Sequence, residues 1–233
     1  PQEARFAQHF QCCRAAWQGD GLQLDVWQPC GHRLQCLFSA TPRVSPAQCA
    51  RSAKGRLQYA LRKKQTAVAF SRRVGFRSLG DNTREIVRNY VARQSCKSDY
   101  VDPRFKAWLE AFNTGDRRTV LEQPEATGHG RYWYNLHLVI VVQDRRYPMT
   151  QRSTFRTVRD YSFRIAEKKG YQLAKISVMP DHVHLVLRGN IEHSPEDIAL
   201  GYLNNLSYSL GANRCWSEEC YVGTFSEYTL GQI

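Results

Sequence analysis

At 233 residues with 42% hydrophobic content, the chain is long enough for two domains of about 100 residues, each with a buried core. Thirty-three Lys and Arg against 21 Asp and Glu give a formal net charge of +12, which suits a phosphate backbone and permits a nucleic-acid partner without proving one. No pair among the eight cysteines has Cys-x-x-Cys spacing, and neither a signal peptide nor an apolar run near twenty residues occurs. This argues against a zinc ribbon, a redox motif and a membrane span, and for a soluble cytoplasmic protein with reduced thiols.

In chain order, Arg33-Leu34-Gln35 with apolar Leu34, Leu37 and Phe38 reads as a strand, and Ser45-Pro46 marks a helix start, with Ser as cap and Pro at the first position. Basic residues then cluster at Arg62-Lys63-Lys64, Arg72-Arg73 and Arg77. The run from Asp81 to Gln94 predicts a helix, with Asn82 as N-cap and Glu85 three residues later in the logic of a capping box. Tyr90 and Gln94, four apart, project from one face of it, while Val87 and Val91 form an adjacent stripe able to dock on a sheet. Arg84 and Arg88 share a third face, suited either to a DNA strand or to solvent. By itself Tyr90 is an ordinary half-buried helix aromatic.

The join runs from 96 to 131. Asp102-Pro103 opens a short helix over 104–112 with Phe105, Trp108, Leu109 and Phe112 as its stripe, Gly115-Asp116 breaks it, and 122–130 reads as a polar loop. Beyond it the pattern predicts strand 132–142, helix 153–169, strands 172–179 and 182–188, helix 194–211 and a short strand near 220–225. That order, βαββαβ, defines an α+β fold of ferredoxin-like type, an antiparallel sheet covered by helices. Tyr132, Trp133 and Tyr134 pack as the start of a strand, and His129 and His137 are either surface histidines or substrate contacts.

Two features carry chemistry. In Asp181-His182-Val183-His184-Leu185-Val186-Leu187 both imidazoles share one face of an extended segment, with Val183, Leu185 and Leu187 on the other. This presents a two-histidine metal clip, although His-x-His also arises on solvated strands. Asp181 either orients an imidazole or caps the turn after Pro180. The second feature is an internal repeat at a constant shift of 149: Gly21-Leu22-Gln23-Leu24 falls on Gly170-Tyr171-Gln172-Leu173, Ser45-Pro46 on Ser194-Pro195, and Leu57, Tyr59 and Leu61 on Leu206, Tyr208 and Leu210. Arg33 and Gln35 then stand at the two histidine positions. The counterpart of strand 132–142 would fall before Pro1, and the lack of an initial Met agrees with a missing start. Residues 1–95 thus form a degenerate unit carrying the tyrosine helix, 96–131 a linker and 132–233 the histidine unit.

The Pro-Asp-His-Val-His run with its aliphatics resembles the signature of the single-tyrosine HUH transposases, including insertion-sequence and repetitive-palindrome-associated members. Tyr134-Asn135-Leu136-His137-Leu138-Val139 with Arg145-Arg146 is similar to that family's first strand and basic turn, and Trp216-Ser217 with Tyr221-Val222-Gly223-Thr224 to the segment before its nucleophile helix. The resemblance covers about 130–233. It implies a catalytic tyrosine about a dozen residues past Thr224 with a glutamine one turn later, whereas the sequence given ends at Ile233. Tyr90 and Gln94 match that pattern in the first half. The resemblance therefore implies a tandem pseudo-dimer with one composite site, in which Tyr90 is the nucleophile and His182, His184 and Gln94 hold Mg2+ or Mn2+. Asp181 would stand behind the metal, and Arg84, Arg88, Arg145 and Arg146 would contact DNA. The implied activity is cleavage and transfer of single-stranded, hairpin-bearing DNA through a 5′-phosphotyrosine. The alternatives are a domesticated hairpin nickase and a DNA-binding or regulatory module that has lost catalysis. On the composite-site reading, Tyr90 and His182 meet although 92 positions separate them.

Overall fold

The structure is a computed structural model that describes residues 2–66, 68–96, 102–116, 118–128, 130–145, 149–211 and 215–230. Its first half comprises α1 (Gln2–Gly19), β1 (Leu22–Cys30), β2 (Arg33–Ala40), α2 (Pro46–Lys63), β3 (Val74–Arg77) and α3 (Arg84–Ala92). The join carries α4 (Pro103–Ala111), β4 (Asn113–Gly115) and β5 (Glu125–Thr127), and the second half β6 (Gly130–Trp133), β7 (Asn135–Val142), α5 (Arg152–Lys169), β8 (Gln172–Val178), β9 (His182–Arg188), α6 (Pro195–Ser209) and β10 (Trp216–Phe225).

Alternation along β7 and β9 builds the second half. Leu138, Ile140, Val142, Val183, Leu185 and Leu187 point to one face and are fully or almost fully buried against Phe155, Val158 and Ile165 of α5 and Ile198, Tyr202 and Leu206 of α6. Burial of such side chains stabilises the layer by about 1.5–3 kcal/mol each. The sheet order is β10-β7-β9-β8-β4, with every neighbouring pair antiparallel. Its first four strands form the ferredoxin-like sheet, and the short edge strand β4 comes from the join.

The first half repeats the αββαβ order, and details recur with it. Gly21 and Gly170 both hold positive φ, +78° and +69°, at the exit from a helix into a strand, where a Cβ would be strained. Ser45 and Ser194 both cap a helix whose first residue is proline, and Ser194 completes a capping box with Asp197. Among the described residues the strands of the first half fall in two separate sheets. β1 and β2 make an isolated hairpin, and β3 pairs in parallel with β6 in a three-stranded sheet with β5. In the second half β7 lies between β10 and β9. β3, by contrast, takes its strand partner from the second half of the chain.

The two halves meet reciprocally. Ala47 N donates to Ile191 O and Glu196 N donates to Pro42 O, both at 3.0 Å. At the shift of 149, Ala47 falls on Glu196 and Pro42 on Ile191. At that shift each bond falls on the position of the other.

Several boundaries differ from expectation. Strand 132–142 is divided at Tyr134, whose carbonyl accepts from Gly189 N where the chain passes from one sheet to the other. The polar segment 122–130 contains β5. Thr83, not Asn82, caps α3: its hydroxyl accepts from Ile86 N, and a bridge to Ser226 fixes its extended backbone. The helix ends at Ala92, so Gln94 sits in a following 3-10 turn instead of continuing the helix. Among the described residues no helix is long and apolar enough to cross a membrane.

Candidate active site

The face of the second-half sheet opposite its core carries His137, Val139 and Val141 from β7 and His182, His184 and Val186 from β9. Register pairs Val141 with His182, Val139 with His184 and His137 with Val186. This face is roofed by α3 of the first half. Val87 and Val91 are buried against Val186, Leu121 and Phe225, which turns the side of the helix bearing Ile86 and Tyr90 over the histidines. A groove of about 570 Å³ results, lined by Tyr90 and Gln94 from one half and His137, His182, His184 and Tyr221 from the other.

The Tyr90 ring lies 5.5 Å from that of His184 and 6.0 Å from that of His137, edge-on to both, and the residue is 44% exposed. His182 and His184 stand 4.8 Å apart at 83°. His182 Nδ1 is 2.6 Å from Asp181 Oδ1, so Asp181 orients the imidazole. His184 Nδ1 is 3.1 Å from His137 Nε2. Burial drives the His137 pKa down to about 4, so this ring is neutral at pH 7. His137 Nε2 thus engages His184 Nδ1, and Asp181 accepts from His182 Nδ1–H. In each ring this leaves Nε2 as the nitrogen that a metal would take. Gln94, buried, donates through Nε2 to Tyr90 O at 3.1 Å, so its amide oxygen is the atom left to serve as ligand. Two imidazoles and an amide oxygen on one groove fit a divalent cation with open positions. Among the described residues no group of three or more His, Cys, Asp and Glu is placed to hold a metal, and Gln94 lines the same groove as His182 and His184.

The basic residues divide. Arg84 pairs with Glu122 at 3.1 Å and Glu227 at 3.0 Å, which ties the start of α3 to the join and to the segment after β10. Arg88 is exposed beside Lys175 of β8, whose pKa is lowered by burial and by that guanidinium. The Arg145 side chain and all of Arg146 and His129 lie outside the described residues. In the first half Arg33 and Gln35 are exposed on β2, and Gln35 accepts from Gln28 at 2.8 Å. His137, read from sequence as surface or substrate contact, is buried in the site. The signal was present in the alternation of 137, 139 and 141, but the register needed to bring it beside His184 is tertiary.

His137 gives the metal-free protein a pH dependence. Its native pKa lies below its ordinary value of about 6.5, so the unfolded chain takes up the proton first as pH falls. Its contribution to stability is complete above 6.5 and is lost between there and about 4, by about 3 kcal/mol. Denaturant midpoints measured in EDTA across this range should fall more steeply for the wild type than for His137→Leu.

The fold and site thus define an α+β protein with a groove in which a helix-borne tyrosine from one half meets strand-borne histidines from the other. Residues 131–230 match the family described as Transposase IS200 like. No curated protein sequence matches the chain. Among solved structures, it is similar to a candidate transposase from Deinococcus radiodurans, with 24% identity, 46% of this chain and 90% of that one covered, and a TM-score of 0.39. It is also similar to a REP-associated tyrosine transposase bound to a REP hairpin, with 9% identity, 41% and 58% covered, and a TM-score of 0.36.

Proposed function

We propose that this transposase-family chain cleaves and transfers single-stranded DNA, with hairpin-bearing ends as its substrate class, through one composite active site. Tyr90 Oη attacks the scissile phosphorus and the P–O3′ bond breaks. The products are a 5′-phosphotyrosine and a free 3′-OH, with the phenolic proton passing to solvent and a proton reaching the leaving oxygen. Attack by a second 3′-OH on the tyrosyl phosphodiester regenerates Tyr90 and joins a new strand, the bond energy being held in the ester. A divalent cation, Mg2+ or Mn2+, would supply charge neutralisation at the non-bridging oxygens when held by His182, His184 and Gln94. Asp181 and His137 engage the Nδ1 atoms of the two imidazoles, which leaves Nε2 of each to serve as ligand.

The observation that carries this reading is the 5.5 Å approach of Tyr90 to His184 across the two halves. The reciprocal bonds at Ala47 and Glu196 support the companion inference that residues 1–95 and 132–233, joined by 96–131, are a covalent pseudo-dimer. A denaturing gel of the protein with labelled hairpin oligonucleotides tests the activity. An adduct is expected in Mn2+, absent in EDTA and absent for His182→Ala. Adduct formation in EDTA would remove the metal from the reaction, and no adduct on DNA that the protein binds would leave a DNA-binding module.

A further inference from the structure

Beside the tyrosine groove lies a second cavity of about 310 Å³, between the 79–82 segment of the first half and β10 of the second. The two share Asn82, Val87, His137 and Tyr221, so a strand running from Tyr90 past His137 enters the second. Tyr221 stands at the junction. It is 51% exposed, edge-on to His137 with ring centres 5.6 Å apart at 67°, and its ring lies back over Gly223, where a Cβ would collide with the phenol. Glycine two residues along the same face lets this ring lie along the strand, and contact with His137 holds it there. A half-exposed aromatic held in this way is a platform on which a planar base stacks.

The same cavity is lined by Asp81 and Asn82. Both are exposed, and among the described residues neither side chain has a hydrogen bond or ion pair. A carboxylate repels phosphate, so in a chain of net charge +12 this is the wrong lining for a DNA backbone. It is the right one for a base edge, because a carboxylate accepts from an exocyclic amino group and an amide both donates and accepts. We propose that this cavity takes one unstacked nucleobase of the strand bound at Tyr90, stacked on Tyr221 and read by Asp81 and Asn82, with bases that carry an amino group preferred over thymine. The proposal rests on the reading of the adjoining groove as a single-stranded DNA site.

The test separates binding from chemistry. Single-stranded oligonucleotides with randomised stem-loops and flanks are bound to the full chain in EDTA, where strand cleavage is not expected, and the bound fraction is sequenced. One flank position should be depleted in thymine by about tenfold, and Asp81→Ala with Asn82→Ala should level that position while leaving the others unchanged. Tyr221→Ala should weaken binding about tenfold, Tyr221→Phe should not, and replacing that nucleotide by an abasic one should cost the wild type as much as Tyr221→Ala does. A wild-type profile without such a position, or a preference that survives loss of Asp81 and Asn82, overturns the proposal. Binding of no library member overturns it together with the DNA reading, whereas a levelled position without any adduct in Mn2+ overturns strand transfer alone.

Discussion

Tyr90→Phe should abolish the covalent DNA adduct, a fall of at least about 10⁴-fold, while DNA binding stays within a factor of two and stability within about 0.5 kcal/mol. The substitution removes one oxygen from a side chain that is 44% exposed and keeps the ring that meets His184 and His137 edge-on. Helix α3 is anchored elsewhere, by Val87 and Val91 against Val186 and Phe225 and by Arg84 against Glu122 and Glu227. Denaturing gels, equilibrium binding and denaturant melts on the same preparation check all three expectations. An adduct that persists would move the nucleophile, and Tyr221, the other exposed tyrosine of the groove, becomes the next residue to replace.

Gly80→Ala should destabilise the protein by about 2–3 kcal/mol and lower adduct formation about 100-fold, although Gly80 touches neither histidine. This glycine lies in the seam that joins the tyrosine helix to the histidine unit. Leu230 N donates to its carbonyl at 3.2 Å, it bridges Thr229, and the neighbouring Leu79 carbonyl accepts from the Thr224 hydroxyl. A Cβ on Gly80 would overlap the Thr224 carbonyl, which is backbone and cannot turn aside. The 79–82 segment must therefore withdraw from β10, and α3 moves with it by way of Thr83 and Arg84 N, which donates to Ser226 O at 2.7 Å. A displacement of about 1 Å costs on the order of 100-fold where attack geometry is strict. Gly75→Ala, in β3 with no atom within 4 Å of the added Cβ, is the control and should change stability by less than about 0.5 kcal/mol. Equal losses in the two variants would mean that the seam does not position the helix.

What could be read from the residues was whatever depends on local periodicity. The two-residue alternation of 182–188 set the strand and its two faces, Ser194-Pro195 and Ser45-Pro46 set two helix starts, and Asp102-Pro103 set α4. The constant shift of 149 carried the repeated αββαβ order. Local signals failed where a partner distant in the chain decides the conformation. Asn82 and Thr83 are both competent caps, and only the bridge to Ser226 selects Thr83. Tyr134 has the propensity to continue a strand, yet the change from one sheet to another divides it there.

The candidate site divides along the same line. Gln94, expected one turn along the helix, lies past its end, whereas the histidine pair, Asp181 and Tyr90 were legible because each belongs to a short local pattern. His137, buried and hydrogen-bonded to His184, was not, because a single histidine in a strand carries no mark of its partner until pairing brings β7 beside β9. The sequence by itself determined most of the elements and the residue types, since these follow from backbone geometry and side-chain chemistry over short spans. That the helix of one half lies on the sheet of the other was expected only through the family resemblance, and the tertiary structure decided how it sits there. That depends on apolar faces finding each other across the chain, Val87 and Val91 against Val186, at positions about 100 residues apart that no local pattern connects.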